Sequence, residues 1–140
     1  MMSIVFSVPL EPKGKGRPRF SRHGKFTKVY TDQPTLDYES AIRLFASKAM
    51  GPQEPLEKPV SVYLYIRVSI PQSYSKSRKA ACLDGFERPA KKPDIDNIAK
   101  AFLDAMNGTI YLDDTQVVEL NIKKVYSAVA GVDVAIMETK

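Results

Sequence analysis

The segment from Val60 to Ile70 constrains the fold more than any other part of the sequence. Every second residue in it is aliphatic: Val60, Val62, Leu64, Ile66, Val68 and Ile70. Successive side chains of a strand point to opposite faces of a sheet, so these aliphatic residues share one face. The segment therefore predicts a strand in a sheet that is covered on one face and open on the other.

Two other segments have the apolar spacing of amphipathic helices that can cover such a sheet. From Thr35 to Met50 and from Asp96 to Met106, apolar residues recur every three or four positions. Asp96 is expected to be the N-cap of the second helix, because aspartate is favoured at that position. A further, short basic helix is predicted from Ser75 to Leu83.

Shorter runs of apolar and β-branched residues predict the remaining strands. They extend from Ile4 to Leu10, from Phe26 to Tyr30, from Gln116 to Val125 and from Val132 to Met137. Together with the alternating segment they make a mixed sheet of about five strands, with two main helices packed on it. The sequence has no repeat and no linker, so it predicts an α+β fold in a single small domain comprising residues 1–140.

Length and composition exclude several classes of protein. The chain has 140 residues and one cysteine, Cys82, which excludes an internal disulfide and a cysteine-based zinc site. His23 is the only histidine, which argues against a Ser-His-Asp triad and a two-histidine metal site. No apolar run reaches the roughly 20 residues that cross a bilayer, and the first charges follow a short apolar stretch, the reverse of a signal peptide. We expect a cytoplasmic protein that does not enter a membrane.

The net charge of +5 conceals two strongly basic segments in an otherwise acidic chain. The first, from Lys13 to Lys28, contains no acid, and the second extends from Lys76 to Lys92. This separation of charge predicts binding to a polyanion, although solvated loops would have the same composition. Three aromatic residues accompany the first group: Phe20, Phe26 and Tyr30. They are candidates for stacking on bases, although at least two of them are expected to pack beneath the loop. The residues expected to bind nucleic acid are Lys13, Lys15, Arg17, Arg19, Arg22, Lys25, Lys28, Lys76, Arg78, Lys79, Lys91 and Lys92.

Acidic residues are concentrated in one segment, from Lys91 to Asp114. Asp94 and Asp96 are two positions apart, so on extended chain both carboxylates project in the same direction. Lys100 and Asp104 follow Asp96 at intervals of four, which places all three side chains on one face of the predicted helix. The segment thus brings several carboxylates and one lysine towards the same part of the domain.

Asp113 and Asp114 follow the helix after a short turn and could return to the same end of the domain. Two carboxylates at about 4 Å repel by on the order of 4 kcal/mol in an effective dielectric of about 20, so a cluster requires protonation, separation by solvent or a cation. Carboxylate oxygens suit Mg²⁺ or Mn²⁺, which could activate water and offset charge on a phosphate, with Lys100 assisting. Spacing alone leaves two structural interpretations open: a helix cap with solvated i,i+4 ion pairs, and a turn cap at Asp113-Asp114.

The acidic segment also resembles a known family. PDIDNIAKAFLDAMNG followed by YLDDTQVVEL is similar to the RusA family of Holliday junction resolvases. The family pattern is D-x-D-N, then a lysine four residues after the second aspartate, then D-D-x-Q. The upstream segments KGKGRPRFSRHGKFTKVYTDQPT and PQSYSKSRKAACLDG resemble the versions of this family found in phages and prophages. The resemblance covers nearly the whole chain.

The resemblance implies a small α+β homodimer that binds four-way or other branched DNA and uses Mg²⁺, with Mn²⁺ as the alternative, to make paired symmetric nicks. It places the metal-binding catalytic carboxylates of the family on Asp94, Asp96 and Asp114, and its essential lysine on Lys100. Asp104 matches the pattern in a supporting role. We expect a metal-activated water to attack the phosphodiester and leave a 5′-phosphate and a 3′-hydroxyl.

Two other functions remain compatible with the sequence. A non-catalytic protein of the same fold would bind branched DNA and use the acids for structure alone. A metal-dependent flap or RNA nuclease would use the same acids on a different nucleic acid. The first predicts salt-sensitive binding without strand breakage; the second predicts comparable cleavage of a branched duplex or of single-stranded RNA.

Overall fold

A mixed four-stranded sheet forms the frame of the protein in a computed structural model that describes residues 3–16 and 19–139. The strands are β1 (Ser3–Val8), β2 (Arg19–His23), β3 (Phe26–Tyr30), β4 (Val60–Ser69), β5 (Val117–Ser127) and β6 (Gly131–Glu138). The helices are α1 (Gln33–Met50), α2 (Lys76–Leu83) and α3 (Ile95–Met106). A single 3₁₀ turn, Asp114–Gln116, precedes β5.

The strand order in the large sheet is β1-β6-β4-β5. β4 and β5 are parallel, whereas β6 is antiparallel to both β1 and β4. Parallel neighbours need a long crossover connection, and here it contains α2, α3 and the 3₁₀ turn. The α+β fold is therefore confirmed, with a third helix where the short basic helix is predicted.

The strand count differs from the prediction of about five strands in one sheet. β3 does not join the large sheet but pairs with β2 in a separate antiparallel hairpin, from Arg19↔Tyr30 to His23↔Phe26. β2 was not predicted, since its sequence RFSRH has no apolar alternation. This hairpin, β2–β3, carries much of the first basic segment away from the core.

The core lies between the large sheet and helices α1 and α3. The aliphatic residues of β4 from Val60 to Val68 are buried as their alternation predicts, and Tyr63 and Tyr65 are exposed on the open face. Tyr38 of α1 and Phe102 of α3 meet edge to face with ring centroids 5.9 Å apart, which packs the two helices together. The acidic end of α3 is thereby fixed relative to α1.

Helix α3 begins one residue earlier than the sequence predicts. Asp94, with extended backbone angles, is the N-cap, and Asp96 lies in the first helical turn, so the prediction of Asp96 as N-cap is wrong. The preceding proline excludes helical geometry only as far as Lys92, which leaves the boundary free to form at Asp94. The Asp94 carboxylate makes no capping hydrogen bond.

Within residues 3–16 and 19–139, no helix is both long enough and apolar enough to span a membrane.

Candidate active site and nucleic-acid interface

An extended segment, residues 12–16, crosses the beginning of α3; we call it the strap. The Lys15 backbone N–H donates to Asn97 O at 2.9 Å, and the Gly16 N–H donates to Thr35 Oγ1 at 3.0 Å. A Cβ on Gly14 would lie 2.8 Å from Asn97 Cβ, closer than such atoms approach in proteins. The glycine at position 14 is therefore required for the strap to lie against α3.

The Lys15 side chain ties the strap to two helices. Its ammonium donates to Asp104 Oδ2 of α3 at 2.6 Å and lies 2.9 Å from Glu39 Oε1 of α1. The three side chains are only 22%, 12% and 23% exposed for Lys15, Glu39 and Asp104. Burial alone would lower the pKa of Lys15, but its bonds with Asp104 and Glu39 outweigh burial and raise it. Lys15 is thus charged and held in place; we call these three residues the Lys15 cluster.

Lys100 lies beside this cluster, one turn before Asp104 in α3. Its ammonium is 3.4 Å from Asp104 Oδ2, the same oxygen that Lys15 contacts more closely. The side chain is 64% exposed, so the ammonium remains available to a ligand in solvent. The predicted i,i+4 contact between Lys100 and Asp104 is confirmed. Asp104 holds Lys100 less closely than it holds Lys15.

The loop bearing Asp113 and Asp114 is clamped by the side chain of Gln116. Gln116 Oε1 accepts the Asp113 backbone N–H at 2.9 Å, while Nε2 donates to Leu56 O at 2.8 Å and to Lys58 O at 3.0 Å. The Asp113 carboxylate accepts the Thr115 N–H at 3.4 Å, so the predicted turn cap is also present. The glutamine of the D-D-x-Q element therefore fixes the position of the acidic pair.

The Asp114 carboxyl group has a raised pKa. A hydrogen bond shared with Asp113, followed by burial and the charges of Asp113 and Asp104, raises its pKa, while Lys100 partly opposes the rise. These causes place Asp114 in the electrostatic environment of Asp104 and Lys100. Excess negative charge at this point favours either a proton or a cation.

Asp94 and Asp96 lie at the beginning of α3, and both are exposed. Within the described residues neither carboxylate has a hydrogen bond or an ion pair. Lys124 of β5 holds the chain that leads to them, since its ammonium donates to Lys91 O at 2.7 Å and to Pro93 O at 2.9 Å. The two carboxylates are therefore held at the surface without a protein partner.

The donor chemistry of these acids fits a hard divalent cation, which takes carboxylate oxygens and keeps several waters. The raised pKa of Asp114 and the free carboxylates of Asp94 and Asp96 agree with that requirement. Across residues 3–16 and 19–139, no three histidine, cysteine, aspartate or glutamate side chains converge closely enough to form a complete metal site.

A comparison with protein-family models decides the family. The model of the RusA endodeoxyribonucleases matches residues 9–137. The chain belongs to the RusA family. A relative from Bacillus subtilis (strain 168), called uncharacterized protein YqaN, is 38% identical over 143 residues, an alignment that covers 99% of this chain and 98% of the relative. The match to the family spans both basic segments and the acidic segment.

The β2–β3 hairpin of this RusA-family chain is strongly basic and has aromatic side chains on its surface. Phe20 is 69% and Phe26 78% exposed, so both lie outside the core. Among the described residues, none of its basic side chains forms an ion pair; they are Arg19, Arg22, Lys25 and Lys28. Lys13 of the strap is also exposed, whereas Arg17 lies outside the described residues. The hairpin thus presents cations and aromatic rings together.

The second basic segment is partly engaged within the protein. Arg78 donates to both carboxylate oxygens of Glu87 and lies 3.6 Å from the centroid of the Tyr74 ring. The Lys91 ammonium lies near the rings of both Tyr74 and Tyr126, at 5.8 and 5.6 Å from their centroids. Three further lysines of the segment have no ion pair among the residues that the structure describes; they are Lys76, Lys79 and Lys92. This part of the surface combines held and free cations.

The role of Glu39 and the contacts of Gln116 were not predicted from the sequence. Glu39 reads as an ordinary polar residue of an amphipathic helix, and its pairing with Lys15 arises only when α1 packs on α3. Gln116 is part of the family pattern, but its partners Leu56 and Lys58 are distant in the chain. The strap also needs glycine at least at position 14 for close packing against α3, which the sequence alone does not show.

Proposed function

We propose that this chain is a Mg²⁺-dependent endonuclease that resolves four-way DNA junctions by paired, symmetric nicks. The observation that carries the proposal is the match to the RusA endodeoxyribonucleases over residues 9–137. Unpartnered carboxylates, an exposed lysine and a basic hairpin in one chain support a reaction on a polyanion. A protein that acts on DNA in this way would work in the cytoplasm.

Each member of the acidic segment has a separate role in the proposal. Asp94, Asp96 and Asp114 would hold Mg²⁺ or Mn²⁺ and the attacking water, and the ammonium of Lys100 would offset the charge that develops on the scissile phosphate. When bound, the cation supplies charge that activates water and neutralises the phosphate. Attack on phosphorus breaks the bond to the 3′-oxygen, which leaves as the hydroxyl, so the products carry a 5′-phosphate and a 3′-hydroxyl.

DNA binding is assigned to the cations that the protein leaves free. Those expected to contact phosphates are Lys13, Arg19, Arg22, Lys25, Lys28, Lys76, Lys79 and Lys92. Phosphate contacts set affinity and register and carry no direct sequence information. The exposed rings of Phe20 and Phe26 would stack on bases at the open centre of the junction. Arg78 and Lys15 are held by carboxylates and contribute less.

A dimer is proposed because a four-way junction has approximate two-fold symmetry. A dimer with one rotation axis offers two equivalent sites to opposite strands, which is what paired nicks require. Light scattering on the purified protein is expected to give about twice the chain mass of 15.6 kDa. A mass of one chain, both free and on a junction, would contradict the dimer.

The test of the function compares an end-labelled, immobile four-way junction with a linear duplex of the same sequence. Each is incubated with the protein, with and without Mg²⁺, and with the variants Asp96→Asn and Asp84→Asn. Asp84 is a matched control, since it is exposed and lies outside the acidic segment. We expect symmetric, Mg²⁺-dependent nicks in the junction alone, lost in Asp96→Asn and kept in Asp84→Asn.

Other outcomes separate the alternatives. Tight junction binding without cleavage under any divalent metal would indicate a non-catalytic DNA-binding protein. Comparable cleavage of a flap substrate or of single-stranded RNA would indicate a nuclease of broader or different specificity. Loss of both binding and cleavage in Asp96→Asn would show that Asp96 is needed for the fold.

A further inference from the structure

Lys15 is positioned differently from the other lysines of the first basic segment. Its ammonium is held by Asp104 and Glu39, which come from different helices, and its own backbone N–H is bonded to Asn97 O. An ammonium with two carboxylate partners has little charge left to attract a phosphate. Lys13, two residues earlier in the same strap, is exposed and has no ion pair within the described part of the chain.

The Lys15 cluster also controls the surroundings of Lys100. Both ammonium groups contact the same atom, Asp104 Oδ2, Lys15 at 2.6 Å and Lys100 at 3.4 Å. The closer contact satisfies Asp104, so that carboxylate holds Lys100 only loosely. Without Lys15, Asp104 would lose its nearest cation, and attraction between opposite charges would draw Lys100 onto it.

We propose that Lys15 is a positioning residue for phosphodiester cleavage. It occupies Asp104, so that the Lys100 ammonium stays free to meet the scissile phosphate, and it holds the strap against the beginning of α3. This inference rests on the proposed function, in which Lys100 acts on the phosphate. It replaces the phosphate contact that the sequence predicts for Lys15.

The proposal predicts different effects for two lysines of the strap: Lys13 contributes to DNA binding, and Lys15 to the rate of cleavage. Removal of the Lys13 charge should weaken junction binding and lower the slope of log K against log [salt] by about 0.9, the value for one phosphate contact. Removal of the Lys15 charge should leave that slope unchanged and lower the rate of cleavage on DNA that is already bound. The two effects are measured separately.

The experiment uses Lys13→Met, Lys15→Met, Lys15→Arg and Lys15→Met/Asp104→Asn. Junction affinity and its salt dependence are measured in EDTA by fluorescence anisotropy, and cleavage is measured in Mg²⁺ under single-turnover conditions with saturating protein. Lys15→Met should lower the cleavage rate constant by about 10-fold or more, because displacement of a reacting group by about 1 Å can cost on the order of 100-fold. Its dissociation constant should change by less than about two-fold and its salt slope should not change.

The double variant distinguishes positioning of Lys100 from a loss of structure. An asparagine at position 104 has no charge to hold Lys100, so Lys15→Met/Asp104→Asn should recover most of the lost rate, and Lys15→Arg should keep it. If the double variant cleaves no faster than Lys15→Met, or if Lys15→Met lowers affinity and salt slope as Lys13→Met does, the proposal is overturned.

Lys15→Met leaves Glu39 buried without a cation, which could impair folding. Lys15→Met/Glu39→Gln removes both charges and serves as the second variant, with thermal unfolding checked for each protein. It should show the same loss of rate at unchanged affinity, and full activity in a folded protein would refute the role of Lys15. An inactive wild-type protein would instead refute the proposed nuclease function. The salt dependence of binding in EDTA would still show whether Lys15 contacts a phosphate.

Discussion

Replacement of Gln116 by methionine tests whether the glutamine clamp positions the acidic pair. Methionine keeps the length and the apolar stem of the side chain but cannot accept the Asp113 N–H or donate to the two carbonyl oxygens. Three hydrogen bonds are thereby lost: one within residues 113–116 and two that join this turn to residues 56–58. The backbone of β5 and the 3₁₀ turn remain otherwise intact.

The expected cost follows from the exposure of these bonds. Each intramolecular hydrogen bond contributes about 1 kcal/mol net, and those open to water contribute less, so the three together are worth about 2 kcal/mol. For a domain of this size, that corresponds to a fall in Tm of about 7 °C. Since Asp114 moves with the loop, the cleavage rate constant should fall by roughly 100-fold, as for a displacement of about 1 Å.

Urea unfolding, thermal unfolding and single-turnover cleavage of the junction measure these effects. Gln53→Met is the matched control, since Gln53 is exposed and its side chain makes no hydrogen bond with the described residues. A Gln116→Met protein as stable as the control would show that the clamp does not hold the loop. Loss of stability with full cleavage activity would show that the loop position does not affect the reaction.

Three further predictions address the helix and the acidic pair. Lys100→Ala should abolish cleavage at every Mg²⁺ concentration while junction affinity, measured in EDTA, is kept; rescue by extra metal would contradict a direct role. The pKa of Asp114 is raised above 3.8, first by the bond with Asp113, so ionisation of this one group lowers the stability of the wild type as pH rises above that value. The free energy of unfolding of Asp114→Asn, measured with urea in EDTA, should therefore increase relative to that of the wild type from pH 4 upwards, although the variant should not cleave. If the difference in unfolding free energy between the two proteins does not change with pH, repulsion by the Asp114 charge is refuted. Phe102→Leu, at a fully buried site against Tyr38, should cost about 1 to 2 kcal/mol in unfolding free energy; a smaller cost would show that the α1–α3 contact is weak.

Local patterns in the sequence predicted most of the fold. The alternation in β4 and the helical spacing in α1 and α3 each depend on which side chains face the core, and burial confirms them. Of the two strands of the hairpin, only β3 was predicted. β2 has no apolar face to bury, and its pairing with β3 depends on contacts outside the core. Alternation says which face of a strand is covered but not which strand lies beside it, so the order β1-β6-β4-β5 could not be predicted.

In the candidate site too, contacts between residues close in sequence were predictable and contacts between distant segments were not. The closeness of Lys100 and Asp104 was predictable, since residues four apart share a helix face. The pairing of Lys15 with Glu39 and Asp104 was not, because it depends on how the strap and two helices pack. The clamp of Gln116 on residues 56–58 likewise requires two distant segments to meet. Long-range contacts of this kind leave no periodic trace in a sequence.

The order of the elements separates the frame of the protein from the parts proposed to act on DNA. The hairpin lies wholly between β1 and α1, and the acidic segment lies wholly within the crossover from β4 to β5. None of the strand pairs in the four-stranded sheet involves either connection. The hairpin can therefore be lengthened, shortened or exchanged without altering a single pairing of that sheet, so the preference for a DNA target can diverge while the proposed chemistry is kept.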